Sequence, residues 1–515
     1  MSPITGPGLG LGSWPVRRAR IGPDATAVLD AHRTLTYAGL ADRTARIAGG
    51  LARLGVGHGD RVAWLGVNAV ETLETYFAAW ALGAIVVPIN HRLAGAEIRY
   101  MLDDCGASVL VHGPDATGRA TDAPAPDVRV VAVDTGPEPL ATGSPADTGG
   151  ADLDDPAVLL YTSGTTGRPK AAVLTHGNLT WNTVNQLAHV DLLSTDRTLC
   201  VAPLFHCVGL SQVTLPALFK GGSVELVPAF DAGAVLARIA EAPITAFAAV
   251  PTMLALLCEH PAWPDTDLGA LRSVVYGGSA VQERVARAWL DRGVTLQQGY
   301  GMTETAPGVY MATREGTAAH PPTSVGVPHF FTDVAVAREG GPESCGPAPV
   351  GAEPGELLVR GPHVSPGYWG RPEETAAART GDWFHTGDVL RAGDDGWAFV
   401  VDRVTDLYIS GGENVYPAEV EAVAVTHDAV ADCAVVGIPD ARWGEVGVAY
   451  VQLRPGARLD AGELRELLSA RLARYKVPRH VEFVDELPRN ATGKVRRVDL
   501  RVRAAAAFAD EEVLP

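Results

Sequence analysis

Between residues 35 and 112 the chain alternates two kinds of pattern. An Ala-rich stretch over 40–54 and the run 70–82 place apolar residues at helical spacing, whereas Arg61-Val-Ala-Trp-Leu65 and Ala84-Ile-Val-Val87 are short, apolar and β-branched. Helices alternating with buried strands predict βα units on a largely parallel sheet. From Gly113 to Pro156, Gly, Pro, Ala, Asp and Thr dominate around one short strand candidate, Val128–Val133, which predicts an extended surface connection. Alternation resumes from 157 to about 335; a section broken by Gly and Pro follows, with strands at Asp333–Ala337, Glu356–Val359 and Trp397–Val401. After Asp402 the pattern becomes helix 417–426, strands 431–437 and 447–453, helix 461–475 and a strand near 480, the extent of a small domain. The expected class is α/β: a large N-terminal body over 1–402 with mostly parallel sheets and a β-rich part, a hinge at 403–406, and a small α+β C-terminal lid over 407–515.

Composition narrows the partners. Of 515 residues, 47% are apolar and 20% charged, enough for a large core, and the formal net charge of −18 argues against a general affinity for nucleic acid or anionic membrane. An anionic ligand would need a locally built site of backbone N–H groups, a metal and a few basic side chains. Six cysteines, at 105, 200, 207, 258, 345 and 433, form neither a C-x-x-C pair nor a zinc spacing, which suits reduced thiols in a cytoplasmic protein. The chain opens on a Gly/Pro-rich stretch instead of a basic-then-apolar signal. Its most apolar run, Tyr76–Ile89, contains Gly83 and Pro88 and falls short of the roughly 20 residues that span a bilayer.

Five segments carry candidate chemistry. Tyr161-Thr-Ser-Gly-Thr-Thr-Gly-Arg-Pro-Lys170 follows the apolar run Ala157–Leu160, so it is a loop leaving a strand. Its hydroxyls, glycines and Lys170 can surround phosphate oxygens, although the loop is not a Walker A sequence. The others are Gly299-Tyr-Gly-Met-Thr-Glu304, the pair Thr386-Gly-Asp388 and Asp402-Arg403, Ser410-Gly-Gly-Glu-Asn-Val-Tyr-Pro417, and Pro488-Arg-Asn-Ala-Thr-Gly-Lys494. Taken singly, each reads as an ordinary turn, cap or solvated charge.

Together, and in this order, these segments resemble the acyl-adenylate-forming superfamily, which includes acyl-CoA synthetases, luciferases and peptide-synthetase adenylation domains; the resemblance runs from about 25 to 505. It implies an AMP-forming acid–thiol ligase that uses ATP, Mg2+ and CoA. In such a ligase Thr162, Ser163, Gly164, Thr165, Thr166, Gly167 and Lys170 would hold phosphate, helped by Gly278, Ser279, Ala280, Gly299 and Gly301. Tyr300 would stack on adenine, Thr303 would donate to the α-phosphate, and Glu304 would hold the metal. Asp388 would accept the ribose hydroxyls, with Arg403 nearby, and Lys494 would bridge the acid and the α-phosphate. Ser410, Gly411, Gly412 and Glu413 would line a pantetheine tunnel. His206, Val250, Thr252, Tyr276, Gly277, Gly278, Gln298 and Gly301 would wall the acyl pocket, with His206 also counted as catalytic.

Two features bear on the acid. Phe205-His206 stands where amino-acid-activating relatives carry Phe-Asp, which disfavours a free amino acid. The acyl wall has no Arg or Lys to pair a second carboxylate, so a neutral fatty or aryl monocarboxylate is expected. Transfer to a carrier-protein thiol or an amine, or activation of an unusual acid such as nitrite, stays open at this point. The sequence departs from the superfamily pattern at Ala171, where glycine is commoner, and at Thr405, where Lys or Asp usually pivots the lid. Pro488 to Lys494 also has the pattern that protein acetyltransferases recognise in related synthetases, and the oligomeric state is open, a homodimer included.

Rival classes lack their signatures. No G-x-S-x-G occurs, which removes the hydrolase elbow, and Gly8-Leu-Gly-Leu-Gly12 precedes any strand and has the wrong spacing for a dinucleotide fold. Lys494→Ala should therefore cut acyl-AMP formation by about 10²-fold or more, the scale of a lost transition-state charge contact. Thioester formation from supplied acyl-AMP should be largely spared; equal loss of both half-reactions in single-turnover assays would refute the assignment.

Overall fold

The computed structural model describes residues 8–122, 127–134, 139–146, 150–163, 168–277, 281, 283–321, 324–337, 355–403, 408–415, 417–488, 495 and 497–508. The chain divides into two units: Met1–His91, Leu102–Leu160 and Ala171–Asp402 form the first, and Arg92–Met101, Tyr161–Lys170 and Arg403–Pro515 the second.

Among the described residues, the first unit holds three sheets. In the nine-stranded one, six parallel neighbours run Leu296–Gly301, Ser273–Tyr276, Ala246–Ala249, Arg197–Cys200, Ser223–Leu226 and Thr26–Leu29, and antiparallel strands close both edges. In the seven-stranded sheet, Ile85–Ile89, Arg61–Leu65, Val109–His112 and Arg129–Ala132 are parallel, and every residue of Ile85–Ile89 is buried. Continuous apolar runs are what a strand covered on both faces requires. A five-stranded antiparallel sheet forms the β-rich part: Asp333–Ala337, Gly355–Arg360, Trp383–Ala392, Arg379–Thr380 and Ala398–Arg403.

The helices Tyr37–Arg53 and Val70–Ala81 sit where the apolar periodicity places them. Val70–Ala81 is buried along nearly its whole length, and its fully buried Trp80 donates an indole N–H to the Ala157 carbonyl at 2.8 Å. The early glycines have a packing role. A side chain at Gly12 would begin 2.3 Å from the Ala81 nitrogen, so only glycine lets the first turn lie against this helix.

The stretch read as an extended connection is more ordered than expected. It holds the helix Thr117–Asp122, and Arg129–Ala132 joins the seven-stranded sheet beside Val109–His112. The longest strand of the β-rich part, Trp383–Ala392, escapes the pattern because Gly387, at φ +70°, interrupts its alternation.

The second unit carries a sheet of Glu413–Val415, Tyr408–Ser410, Gly444–Leu453 and Val430–Asp440, with His480–Val484 parallel to Gly444–Leu453. Helix Pro417–Ala424 matches expectation; helix Ala461–Ser469 starts on an Asp460–Glu463 capping box and ends before the anticipated 475, giving way to a short 3-10 turn at Arg474–Lys476. The helix Arg497–Phe508, hidden in a basic, Ala-rich tail, buries Leu500 and Ala504. Within this unit the buried Lys476 ammonium lies 2.7 Å from Glu419 and 3.1 Å from Glu97. Burial disfavours its charge, but Glu419, Tyr475 and Glu97 outweigh that and hold it above the ordinary lysine range.

Four histidines of the first unit titrate low because burial penalises their charged form: His176 and His363 to about 4, His329 well below 6.5, and His189 also below 6.5. The unfolded chain therefore binds more protons than the folded one between pH 6.5 and about 4, and stability is lost as pH falls through that window. Each of His176 and His363 should cost about 2 kcal/mol on going from neutral pH to about pH 5. Urea unfolding followed by tryptophan fluorescence at the two pH values should show a clear drop in midpoint; equal midpoints would contradict the buried neutral histidines.

Candidate functional site

Four adjacent parallel strands, Arg197–Cys200, Ala246–Ala249, Ser273–Tyr276 and Leu296–Gly301, end side by side. In open α/β sheets such C-terminal edges are where ligands bind. The residues that follow these ends are those singled out in the sequence: His206, then Val250 and Thr252, then Gly277, then Thr303 and Glu304. The backbone here is tightly apposed. A side chain at Gly277 would begin 2.8 Å from the Gly299 carbonyl oxygen, and one at Gly301 would begin 1.5 Å from that of Pro307.

Two buried carboxylates define the first unit's site. Glu304 lies in the short 3-10 turn Thr303–Thr305, is 6% exposed, and accepts a hydrogen bond from the Tyr368 hydroxyl at 2.8 Å. Tyr368 sits on the two-residue strand Gly367–Tyr368, opposite Ala172 and anchored by its N–H to Thr375 Oγ1 at 2.9 Å. The backbone carbonyl of Glu304 takes the Ser365 N–H at 2.7 Å, which fixes the turn itself. Asp388, 4% exposed, accepts from the Tyr300 hydroxyl at 2.7 Å and donates its N–H to Thr386 Oγ1 at 3.1 Å. Tyr300, Thr386 and Asp388 are thus brought together as the motif reading requires, with the Tyr300 ring side-on to Tyr310 at 6.2 Å.

On the acyl side, Tyr276 and Gln298 are opposite one another in register, and the Tyr276 hydroxyl donates to Gln298 Oε1 at 3.3 Å. The His206 ring packs on Phe205 at 4.8 Å, and Phe205 meets His91 edge-on at 5.5 Å. The Cys207 thiol hydrogen-bonds Thr303; burial pushes that thiol up to about 12, with the neighbouring Glu304 charge adding to the rise.

In the second unit, Thr162 donates its hydroxyl to the Lys170 carbonyl at 3.4 Å across the mouth of the hydroxyl-rich loop, and Tyr161 donates to Met101 at 3.1 Å. Ser410 and Glu413 are buried on either side of Gly411 (φ +59°) and Gly412 (φ +81°), a turn that only glycine adopts without strain. Glu413 is ion-paired with Arg92. Gly164–Gly167, Gly278, Ser279, Ala280, Thr405 and Lys494 lie outside the described residues, as do the side chains of Ser163, Thr252 and Arg403.

Sequence reasoning missed three residues here. Tyr368 lies 64 positions from Glu304, so no local pattern links them. Cys207 was counted only as a thiol, although it directly follows His206. Gln212 lies in Val208–Thr214, which winds as a π-helix, a distortion often found at functional sites; no local pattern singled it out.

The model of the AMP-binding enzyme family matches residues 16–369, and that of the AMP-binding enzyme C-terminal domain matches 419–494. A feruloyl-CoA synthase of Amycolatopsis sp is 49% identical over 96% of this chain and 99% of its own length. An indoleacetate–CoA ligase of Aromatoleum aromaticum is 41% identical over 95% and 97%. A solved o-succinylbenzoate CoA synthetase structure from Bacillus subtilis superimposes with a TM-score of 0.85 at 32% identity, over 95% of this chain and 98% of that one.

Proposed function

From the premise that the chain belongs to the AMP-binding enzyme family and is an ATP-dependent, AMP-forming acid–CoA ligase, we infer that its acid is a neutral aryl monocarboxylate. The enzyme activates a carboxylic acid as acyl-AMP with release of pyrophosphate, then transfers the acyl group to CoA. The observation that carries the aryl reading is the wall at the ends of the parallel strands. Tyr276 and Gln298 satisfy each other there, the Phe205 and His206 rings pack together, and Gly277 and Gly299 let the backbone close up tightly, so the wall is neutral, partly aromatic and stiff. The feruloyl and indoleacetate specificities of the relatives support the same class.

The residue roles follow from charge and reach. Asp388, oriented by Tyr300, accepts the ribose hydroxyls, and Arg403 assists. Thr303 donates to the α-phosphate. Its partner Cys207 stays protonated and so brings no second negative charge beside the phosphates. Glu304, a hard oxygen donor already fixed through Tyr368 and Ser365, fits a Mg2+ carried with ATP. When bound, that ion neutralises phosphate charge. Lys494 neutralises the charge that grows at the α-phosphate as the acid attacks, and its acetylation by a protein acetyltransferase would remove that function. Ser410 to Glu413 line the pantetheine arm, with Thr405 as the pivot that brings them into use. No helix among the described residues is long and apolar enough to cross a membrane, and Cys105, Cys200, Cys207, Cys258 and Cys433 are free thiols, which supports a reducing cytoplasmic setting.

Pyrophosphate release with CoA present, run over ferulate, cinnamate, indoleacetate, octanoate and palmitate, tests the acid class. Aryl acids should exceed palmitate in kcat/KM by about tenfold or more, the discrimination a shaped apolar pocket supplies; a preference for palmitate would overturn the reading. Tyr368→Phe should raise the Mg2+ needed for half-maximal pyrophosphate release by about tenfold, the worth of one bond to a charged group. An unchanged Mg2+ requirement would remove Tyr368 from that role.

A further inference from the structure

Asn178 lies in the first turn of the helix His176–His189 and is buried. The helix follows Pro169–Thr175, the strand that leaves the hydroxyl-rich loop. Its start explains half of this side chain. Asn178 Oδ1 accepts the Thr175 N–H at 2.9 Å, and the Asn178 N–H donates to Thr175 Oγ1 at 3.0 Å, a reciprocal cap. Such a cap needs only the acceptor, which a carboxylate supplies as well as an amide. The carboxamide nitrogen is used elsewhere. It donates to the Pro362 carbonyl at 2.9 Å and to the Val364 carbonyl at 3.1 Å, so both of its hydrogens hold one distant segment. Two carbonyls on one side and an N–H on the other fix which way the amide faces.

That segment leads to Glu304. Ser365, next after Val364, donates its N–H to the Glu304 carbonyl at 2.7 Å. Its hydroxyl donates to the Val173 carbonyl at 2.7 Å and accepts the Gly367 N–H at 3.1 Å. Tyr368, just beyond, donates to the Glu304 carboxylate at 2.8 Å. Between the two clamped carbonyls, His363 is wholly buried. The Asn178 amide therefore grips the chain immediately before the bond that fixes the Glu304 turn and shortly before the bond that orients its carboxylate.

We propose that Asn178 is a positioning residue for the metal–nucleotide site: by clamping Pro362 and Val364 it holds Glu304 in place for the Mg2+ carried with ATP. The inference rests on the Glu304 assignment given above and adds the residue that keeps this carboxylate in register. Without the two donors, the carbonyls must find other partners and the segment shifts. Mg2+ demands near-ideal octahedral geometry, so a displaced carboxylate serves it poorly.

Asn178→Asp keeps the acceptor for Thr175, places a negative charge where a helix start favours one, and removes both donors. The measurement is ATP affinity by calorimetry, with Mg2+ and with EDTA, and with no acid present. The wild-type enzyme should bind ATP more tightly with Mg2+. In Asn178→Asp that gain should shrink by about five- to tenfold, the worth of one or two neutral hydrogen bonds, with affinity in EDTA unchanged. Thioester formation from supplied acyl-AMP, which has no Mg2+–ATP to place, should also be unchanged; equal loss in all three readouts would mean a merely structural role and overturn the proposal. Glu304→Gln is the reference. If it loses the Mg2+ gain while Asn178→Asp keeps it, the clamp is overturned and the Glu304 assignment stands. If Glu304→Gln keeps the gain, the assignment falls and this inference with it. Should Asn178→Asp fail to fold in a thermal melt, Ser365→Ala loosens the same segment and spares the helix start. It must then shrink the Mg2+ gain in the same way, and a full gain overturns the clamp.

Discussion

Two carboxylates taken out of water set the terms for the rest of the site. Glu304 and Asp388 are each almost wholly buried, and burying an ionised carboxyl is costly unless hydrogen bonds replace its hydration. Each is met by a tyrosine hydroxyl, Tyr368 at 2.8 Å and Tyr300 at 2.7 Å. Those two bonds dictate a good deal of architecture. Tyr300 must leave the end of a parallel strand beside the antiparallel β-rich sheet, because Asp388 lies within Trp383–Ala392. Tyr368 must be anchored on a two-residue strand, which pairs with Pro169–Thr175, the strand leaving the hydroxyl-rich loop. The placement of these two carboxylates therefore depends on sheet-to-sheet registration more than on any single loop.

The wall at the ends of the parallel strands depends on absence of side chains. Gly277, Gly299 and Gly301 each stand where a Cβ would strike a carbonyl oxygen or the Gln212 amide. Close packing of this kind makes the wall stiff, since a substitution must move backbone instead of merely rotating a side chain. A stiff, neutral wall of this kind selects by shape and by a small number of polar contacts.

Much of this was legible in the sequence. The βα alternation placed Arg61–Leu65, Val70–Ala81 and Ile85–Ile89 within a residue or two, because buried parallel strands read as short apolar runs. Tyr300 and Glu304 could be singled out together because they stand in one local motif. What was hidden is non-local or locally irregular. The pairing of Glu304 with Tyr368 spans 64 positions. Gly387 masks the strand that carries Asp388, and the Asp- and Pro-rich composition around 113–156 conceals the helix Thr117–Asp122, although its edge strand Arg129–Ala132 was legible as a β-branched run.

The Cys207 thiol has a consequence for chemistry outside the catalytic cycle. With its pKa pushed up to about 12 by burial, only about one molecule in 10⁵ carries a thiolate there at neutral pH. Oxidants and alkylating reagents attack the thiolate, so a sulfur hydrogen-bonded to Thr303 stays inert beside reactive intermediates. Electrophilic probes that bind this site would thus pass over its nearest sulfur, and durable inhibition would have to come from shape and charge instead of covalent capture.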